Sequence, residues 1–146
     1  MDLLINELLK AAQAAQSGIQ ESILRALQKV LLTPGISAIE AKTFEGLATN
    51  IFAYLESDDD GTRNAAAVLF GVMSKIAPDD LLAANVNTLC GNSDASKSLK
   101  QRTGAMAALR YVIYFAYDRV KAKFGSQIVL ITQRNLADQA VRTKLR

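Results

Sequence analysis

The sequence repeats itself at intervals of about 40 residues, and this periodicity constrains the fold more than any other feature. Three segments align on Gln20, Arg63 and Arg102, and a fourth copy begins near Arg142, so the successive spacings are 43, 39 and 40 residues. In each of the first three copies, a small residue follows two positions later and a large apolar residue seven positions later. A unit of this length buries its apolar side chains only against its neighbours, so the copies are expected to stack in a row.

Apolar residues recur at steps of three and four along the chain, which is the spacing of amphipathic helices, and no segment alternates convincingly with the period of two that strands require. The composition agrees, because 23 alanines and 19 leucines stand against 8 glycines and 2 prolines. Gly125 is expected to separate the last two helices. The spacing predicts seven helices, over residues 2–15, 19–32, 37–56, 62–76, 78–89, 99–123 and from about 127.

Two helices in each copy of about 40 residues are typical of HEAT and armadillo repeats. The sequence therefore predicts an all-α fold, a single domain in the form of a right-handed HEAT/ARM-like superhelix with about three and a half two-helix repeats. Because the last copy has too few residues to complete an apolar face, we expect the chain to be a fragment of a larger protein. The repeats are expected over residues 2–33, 37–77 and 79–123, with a partial one from 127.

Three repeat positions are expected to have structural roles. Arg63 follows three aspartates, and an arginine at this repeat position is expected to pair with an acid of the preceding turn and to order that turn. Ala65 and Gly104 occupy the small-residue position. Glycine inside a helix is unfavourable by about 1 kcal/mol relative to alanine, so close approach of a neighbouring helix is the expected reason for Gly104.

The absence of histidine and the single cysteine remove most catalytic chemistry. The chain cannot build a Ser-His or Cys-His nucleophile or a His-ligated metal site. Cys90 alone cannot form an intramolecular disulfide, which fits a reducing compartment such as the cytoplasm. The turn at 58–61 resembles the start of a calcium loop, but the acid required at position twelve would fall on Ala67, so capping of a helix is the preferred interpretation. We therefore expect a non-enzymatic protein with no metal, cofactor or small-molecule substrate.

Charge is distributed unevenly along the chain. Residues 1–99 carry 7 Lys/Arg and 12 Asp/Glu, whereas residues 100–146 carry 10 Lys/Arg and 2 Asp/Glu. The basic C-terminal third indicates an acidic partner, either a protein surface or a nucleic-acid backbone, and a solvated basic helical face without a partner is the alternative. No apolar run approaches the roughly 20 residues that a membrane-spanning helix needs, so no membrane partner is expected.

Candidate binding residues concentrate on the long helix predicted over 99–123. Arg102 has no acid in its own turn nearer than Asp94, so the sequence leaves a structural role and a role in partner binding equally open for it. Arginine and tyrosine are common anchors of protein interfaces, and helical spacing places Arg110, Tyr114 and Tyr117 on one face. Packing of the tyrosines in the core, or their stacking on RNA bases, are the alternatives. The predicted protein-binding residues are Arg102, Arg110, Tyr114, Tyr117, Arg119 and Lys121.

From Met1 to about Val112, the chain resembles the C-terminal HEAT region of the general-control translational activators. These are very large cytoplasmic proteins that act on stalled ribosomes. The resemblance rests on four segments, which are LLINELL at 3–9, ILRALQKV at 23–30, DDDGTRNAA at 58–66 and KQRTG at 100–104.

The resemblance implies a docking surface for the RWD domain of the amino-acid-starvation kinase that phosphorylates an initiation factor. Related RWD proteins would compete for this surface, and a basic residue near Arg102 would hold the acidic surface of the RWD domain. The implied function is a scaffold in translational control that supports activation of this protein kinase, with ribosome binding through the full-length protein. Two alternatives stay open, a helical nucleic-acid-binding protein that uses the basic C-terminal third and a generic HEAT adaptor.

Overall fold

A computed structural model of the protein describes residues 1–33 and 38–138, and these residues form six helices and no strand. The all-α prediction is confirmed for this part of the chain. The helices are α1 (Asp2–Ala14), α2 (Ser17–Leu31), α3 (Ala41–Tyr54), α4 (Asp60–Ile76), α5 (Asp79–Asn92) and α6 (Leu99–Ala137).

The helices are arranged as stacked pairs in two layers. α1 packs on α2, α3 on α4, and α5 on α6. The first helices of the pairs, α1, α3 and α5, contact one another in sequence and form one layer, while α2, α4 and the N-terminal part of α6 form the other. α4 lies at the centre of the second layer, where both neighbouring helices cover it, so most of its residues are buried. This is the nearest-neighbour stacking expected of two-helix repeats.

The large apolar residues that align between the repeats lie in the core. Leu27, Phe70 and Leu109 occupy the same repeat position, and each side chain is at most 2% exposed. They fill the space between α2, α4 and α6, where full burial of one such side chain contributes about 1.5–3 kcal/mol. The repeat alignment therefore identifies the apolar positions that hold the pairs together.

Two glycines mark the closest approaches between helices of neighbouring repeats. A Cβ atom added at Gly104 would lie 2.5 Å from the carbonyl oxygen of Leu55, at the end of α3. A Cβ added at Gly71 would lie 2.5 Å from the carbonyl oxygen of Tyr111. Ala65 holds the Gly104 repeat position in α4 and is 1% exposed. Only small side chains fit between backbones that are this close.

Side chains of the second layer also bind backbone carbonyls of the neighbouring repeat. The Thr62 hydroxyl donates to the Ser17 carbonyl oxygen over 3.0 Å. The Gln28 amide donates to the Ala65 carbonyl oxygen, also over 3.0 Å. These two hydrogen bonds fix α4 against α2 at defined points along both helices, because a hydrogen bond weakens steeply when its geometry is disturbed.

α6 is not straight, although its backbone is helical at every residue except Ala116, where φ is −137° and ψ is 24°. A straight helix would place Arg102 and Asp138 about 54 Å apart. The Arg102 Nη1 atom nevertheless lies 2.6 Å from the Asp138 Oδ2 atom. The chain therefore reverses at Ala116, and residues 117–137 run back beside residues 99–115.

The second segment of α6, residues 117–137, lies along α5. Near the start of this segment, Arg119 contacts Asp79, the first residue of α5. Near its end, the Asn135 amide donates to the carbonyl oxygen of Ser93, the residue that follows α5. The second segment therefore runs in the same direction as α5. It occupies the position of a first helix in the next repeat, as α5 does in its own repeat.

The helix boundary predicted at Gly125 is wrong. Gly125 lies inside α6, and the break is nine residues earlier, at Ala116. The segment expected to begin at 127 therefore begins directly after Ala116. The fourth copy expected around Arg142 lies outside the described residues.

Side-chain caps begin two helices of the second layer. At the start of α4, the Asp59 Oδ2 atom accepts a hydrogen bond from the Thr62 amide over 2.8 Å. At the start of α6, the Ser98 hydroxyl oxygen accepts from the Gln101 backbone amide. The Gln101 side-chain oxygen accepts from the Ser98 backbone amide. These bonds satisfy amides that have no partner within the helix. α4 thus begins with a charged cap and α6 with a neutral one.

The charged cap predicts a dependence of stability on pH. The hydrogen bond from the Thr62 backbone amide, together with the charge of Arg63, holds the pKa of Asp59 below its usual value. The carboxylate therefore stabilises the fold above the ordinary aspartate pKa of about 4, and this contribution is lost as the pH falls through the lowered value. Asp59→Asn keeps an oxygen acceptor for the cap but removes the charge. We expect the Tm difference between wild type and Asp59→Asn to be constant above about pH 5 and to shrink below about pH 4. A Tm difference that grows on acidification would contradict this account.

Candidate protein-binding surface

The polar residues of the first two repeats bind within their own helix pair. In the first repeat, the Gln20 side-chain amide donates to the carbonyl oxygen of Ala12 over 3.1 Å. In the second, Arg63 donates to the carbonyl oxygen of Ser57 over 2.9 Å and pairs with Asp60. Each contact joins the end of one helix to the start of the next, so it orders the turn between them.

Arg102 occupies the same repeat position but reaches forward along the chain. Its side chain is 15% exposed and pairs with Asp138, which follows the second segment of α6. Arg102 is therefore paired within the fold, which favours its structural role over a role in partner binding. The acid that it binds is 36 residues away in sequence, so inspection of its own turn could not reveal it.

Arg119 also binds groups within the fold. Its guanidinium donates to the carbonyl oxygens of Ser74 and Ala77 over 2.9 and 2.6 Å, and to the Asp79 carboxylate over 2.7 Å. A cation at the C-terminal end of α4 is favourable because the last carbonyls of a helix lack partners and carry partial negative charge. Arg119 thus joins α4, α5 and α6 at the point where α6 reverses, and these bonds leave it few donors for another protein.

Four predicted residues remain on the outside of the molecule, and we call them the aromatic–basic surface: Arg110, Tyr114, Tyr117 and Lys121. Tyr114 is 79% exposed and Tyr117 is 53% exposed, which is high for aromatic side chains. The break at Ala116 lies between Tyr114 and Tyr117. Helical spacing therefore does not place Tyr117 on the same face as Arg110 and Tyr114, contrary to the prediction from sequence. The two tyrosines flank the reversal of α6.

The cations of this surface lie beside aromatic rings. The Arg110 guanidinium is 5.4 Å from the centre of the Tyr111 ring, and the Lys121 ammonium is 6.0 Å from the centre of the Tyr117 ring. Lys121 also lies 3.2 Å from Asp118, but both side chains of this pair are exposed, so it contributes little. An external carboxylate can therefore bind Arg110 or Lys121 without breaking a strong ion pair among the described residues.

A groove of about 440 Å³ lies along the second segment of α6, and Tyr117 and Lys121 of the aromatic–basic surface line it. Its apolar wall includes Ile113 and Val129, which are 38% and 57% exposed. Sequence reasoning missed Val129 because it ended the helix at Gly125. On a continuous helix, Lys121 follows Tyr117 by about one turn and Val129 follows Lys121 by about two turns, and all three side chains line the groove.

Exposed rings, an apolar groove and two accessible cations together suit a protein partner that is partly apolar and partly acidic. Tyrosine and arginine are enriched among the residues that dominate binding energy at such interfaces. The helices that carry these residues are already packed, so binding would require little ordering of the backbone.

The other candidate sites have structural explanations. Cys90 is 5% exposed, and burial raises the pKa of its thiol, which makes it unreactive. Asp59 caps α4, and Asp58 pairs with Lys100. In residues 1–33 and 38–138, no cluster of three His, Cys, Asp or Glu side chains is placed to hold a metal ion. Across the same residues, none of the helices combines the length and the apolar character needed to cross a membrane.

Comparison with known proteins identifies the repeats. A family model described as stalled ribosome sensor GCN1-like, HEAT repeats, matches residues 2–144. Among solved structures, the crystal structure of an engineered protein from a structural-genomics programme superposes with a TM-score of 0.53 at 19% identity, covering 97% of this chain and 59% of the other. This likeness shows the fold alone, and the chain spans 59% of the length of that protein. No curated protein matches the chain.

Proposed function

Because this chain belongs to the family of HEAT repeats of GCN1-like stalled ribosome sensors, we propose that it is a protein-binding scaffold in translational control. HEAT repeats form helical scaffolds and are not typically catalytic. The proposed partner is the RWD domain of the starvation-sensing kinase, or a related RWD protein that competes for the same surface. The proposed setting is the cytoplasm, where a longer protein containing these repeats would hold the kinase near the ribosome.

The observation that carries this proposal is the separation of the candidate residues into two groups. Arg102 and Arg119 are bound within the fold. Tyr114 and Tyr117 are more than half exposed, although burial of an aromatic side chain would stabilise the fold. Apolar side chains that stay exposed together with accessible cations are typical of an interaction site.

The charge of the aromatic–basic surface supports an acidic partner. Arg110 and Lys121 would steer an acidic RWD surface towards the tyrosines and fix its orientation. Tyr114 and Tyr117 would supply most of the affinity, because an aromatic side chain buries a large area and has few rotatable bonds to order.

Tyr114→Ala is expected to weaken binding to a purified RWD domain of the kinase about tenfold, since truncation of an interface anchor costs more than about 1 kcal/mol. The thermal melt should stay unchanged because the side chain is 79% exposed. Isothermal titration calorimetry measures the affinity, and circular dichroism measures the melt. Leu3→Ala is the matched control, since Leu3 is 74% exposed on α1 and lies outside the aromatic–basic surface. Equal affinities for wild type and Tyr114→Ala would remove Tyr114 from the docking site.

A salt titration separates protein docking from nucleic-acid binding. Contacts with phosphates release counterions, so log affinity for RNA falls steeply and linearly with log salt concentration. Binding to an RWD domain, with two cations and with the tyrosines supplying most of the affinity, should fall much less steeply with salt. Tight, strongly salt-dependent binding to single-stranded RNA without binding to any RWD domain would overturn the proposed function in favour of the nucleic-acid alternative.

A further inference from the structure

The reversal of α6 is formed by a sequence that contains no helix-breaking residue. Residues 113–118, which read IYFAYD, contain no glycine, proline or asparagine, the residues that most often end or kink a helix. Alanine, at the break itself, is the strongest helix former. A change of the dihedral angles at Ala116 alone would convert α6 into one straight helix of 39 residues.

The bent form therefore depends on contacts that are distant in sequence. The second segment of α6 buries an apolar stripe and makes polar contacts at both ends, through Arg119 to Asp79 and through Asn135 to Ser93. None of these contacts requires that the two segments of α6 belong to the same chain. The buried apolar residues of the second segment are Val120, Phe124, Ile128 and Ile131.

A straight α6 would be about 58 Å long and would carry the second segment away from its own α5. Val120, Phe124, Ile128 and Ile131 would then be exposed to water, which a single chain does not tolerate at equilibrium. A second copy that opens in the same way offers an identical vacant groove along its α5.

We propose that two copies of this chain exchange the second segments of α6, with Ala116 as the hinge. Each second segment would bind α5 of the other copy through the contacts that it makes in the single chain, including Asn135 with Ser93. Such an exchange is reciprocal and closes with twofold symmetry, so it stops at the dimer. The hinge residue would become helical in both copies, and the two polar ends of each segment would keep their partners.

Cysteines across the exchanged interface distinguish a swapped dimer from two intact chains in contact. We would introduce Ser93→Cys and Asn135→Cys into a Cys90→Ala background, refold the chain at millimolar concentration, and separate monomer from dimer by size exclusion with light scattering. After oxidation, the dimer fraction is expected to run as a covalent dimer on a non-reducing gel, and the monomer fraction as a monomer. A dimer fraction that yields only covalent monomers would overturn the proposal, because its disulfides would then lie within single chains.

Hinge variants test the proposal without introduced cysteines. Glycine in a helix is disfavoured about fivefold relative to alanine, and the swapped dimer contains two helical hinges, so Ala116→Gly should weaken dimerisation about twenty-five-fold. Ala122→Gly is the matched control, because Ala122 is exposed and helical in both forms. We therefore expect it to leave the dimer fraction unchanged.

Two results of this second experiment would reject the exchange. One is an equal loss of dimer in Ala116→Gly and Ala122→Gly, which would mean that the hinge has no special role. The other is the absence of any dimer after wild-type chain is refolded at millimolar concentration. Sedimentation velocity on each refolded protein gives the dimer fraction in both cases.

Discussion

Gly104→Leu is expected to lower the free energy of unfolding by about 3 kcal/mol, at the upper end of the usual cost of overpacking a buried site. The physical reason is the carbonyl oxygen of Leu55, which would lie 2.5 Å from the added Cβ atom. The obstacle is backbone, so relief requires a shift of α3 or α6 rather than a change of rotamer. Urea unfolding followed by circular dichroism measures the change.

Gly125→Leu provides the matched control for this substitution. Gly125 lies in the same helix, but a Cβ atom added there meets nothing within 4 Å. Leucine is the better helix former, so this variant should be as stable as wild type or more stable by up to about 1 kcal/mol. If Gly104→Leu proves as stable as Gly125→Leu, Gly104 is not a point of close helix contact.

Arg119→Met is expected to cost about 2–3 kcal/mol of stability. Methionine keeps the apolar stem but loses the donors to the carbonyl oxygens of Ser74 and Ala77. Hydrogen bonds to charged groups contribute about 1.5–3 kcal/mol, and the favourable charge at the end of α4 is lost as well. The exposed Asp79 carboxylate adds little to this sum, because water screens the pair.

Lys121→Met serves as the control, since Lys121 is a nearby cation whose pair with Asp118 is exposed. We expect this variant to change the free energy of unfolding by less than about 0.5 kcal/mol. Equal stability of the two variants in chemical denaturation would mean that Arg119 is a surface residue. It would then return to the list of candidates for partner binding.

The repeat period and the helical spacing were sufficient to predict the all-α stacked fold. Leu27, Phe70 and Leu109 could be identified from sequence because they share one position in successive copies and pack against nearest neighbours. The family match over residues 2–144 confirms the HEAT-like superhelix and the resemblance to the general-control activators. The reversal at Ala116 could not be predicted, since residues 113–118 contain none of the residues that usually end or kink a helix.

The candidate site was predictable only in part, for a related reason. Spacing shows which residues share a helical face, but it does not show which faces are covered by other helices. By residue type, Arg119 and Tyr114 are both common at interfaces. Arg119 is bound to a carbonyl oxygen at the end of α4, whereas Tyr114 is exposed. Arg102 depends on Asp138, an acid brought close only by the reversal of α6.

The hydrogen bonds between repeats have a mechanical consequence. Thr62 with Ser17, and Gln28 with Ala65, fix the register of α4 along α2. Sliding one helix pair along the next would break these directional bonds, whereas a small change in the angle between pairs would mainly redistribute apolar contacts, which have no preferred direction. The first two helix pairs are therefore stiff towards shear and compliant towards bending, so a bound partner would change the angle between these pairs more readily than the register of α4 along α2.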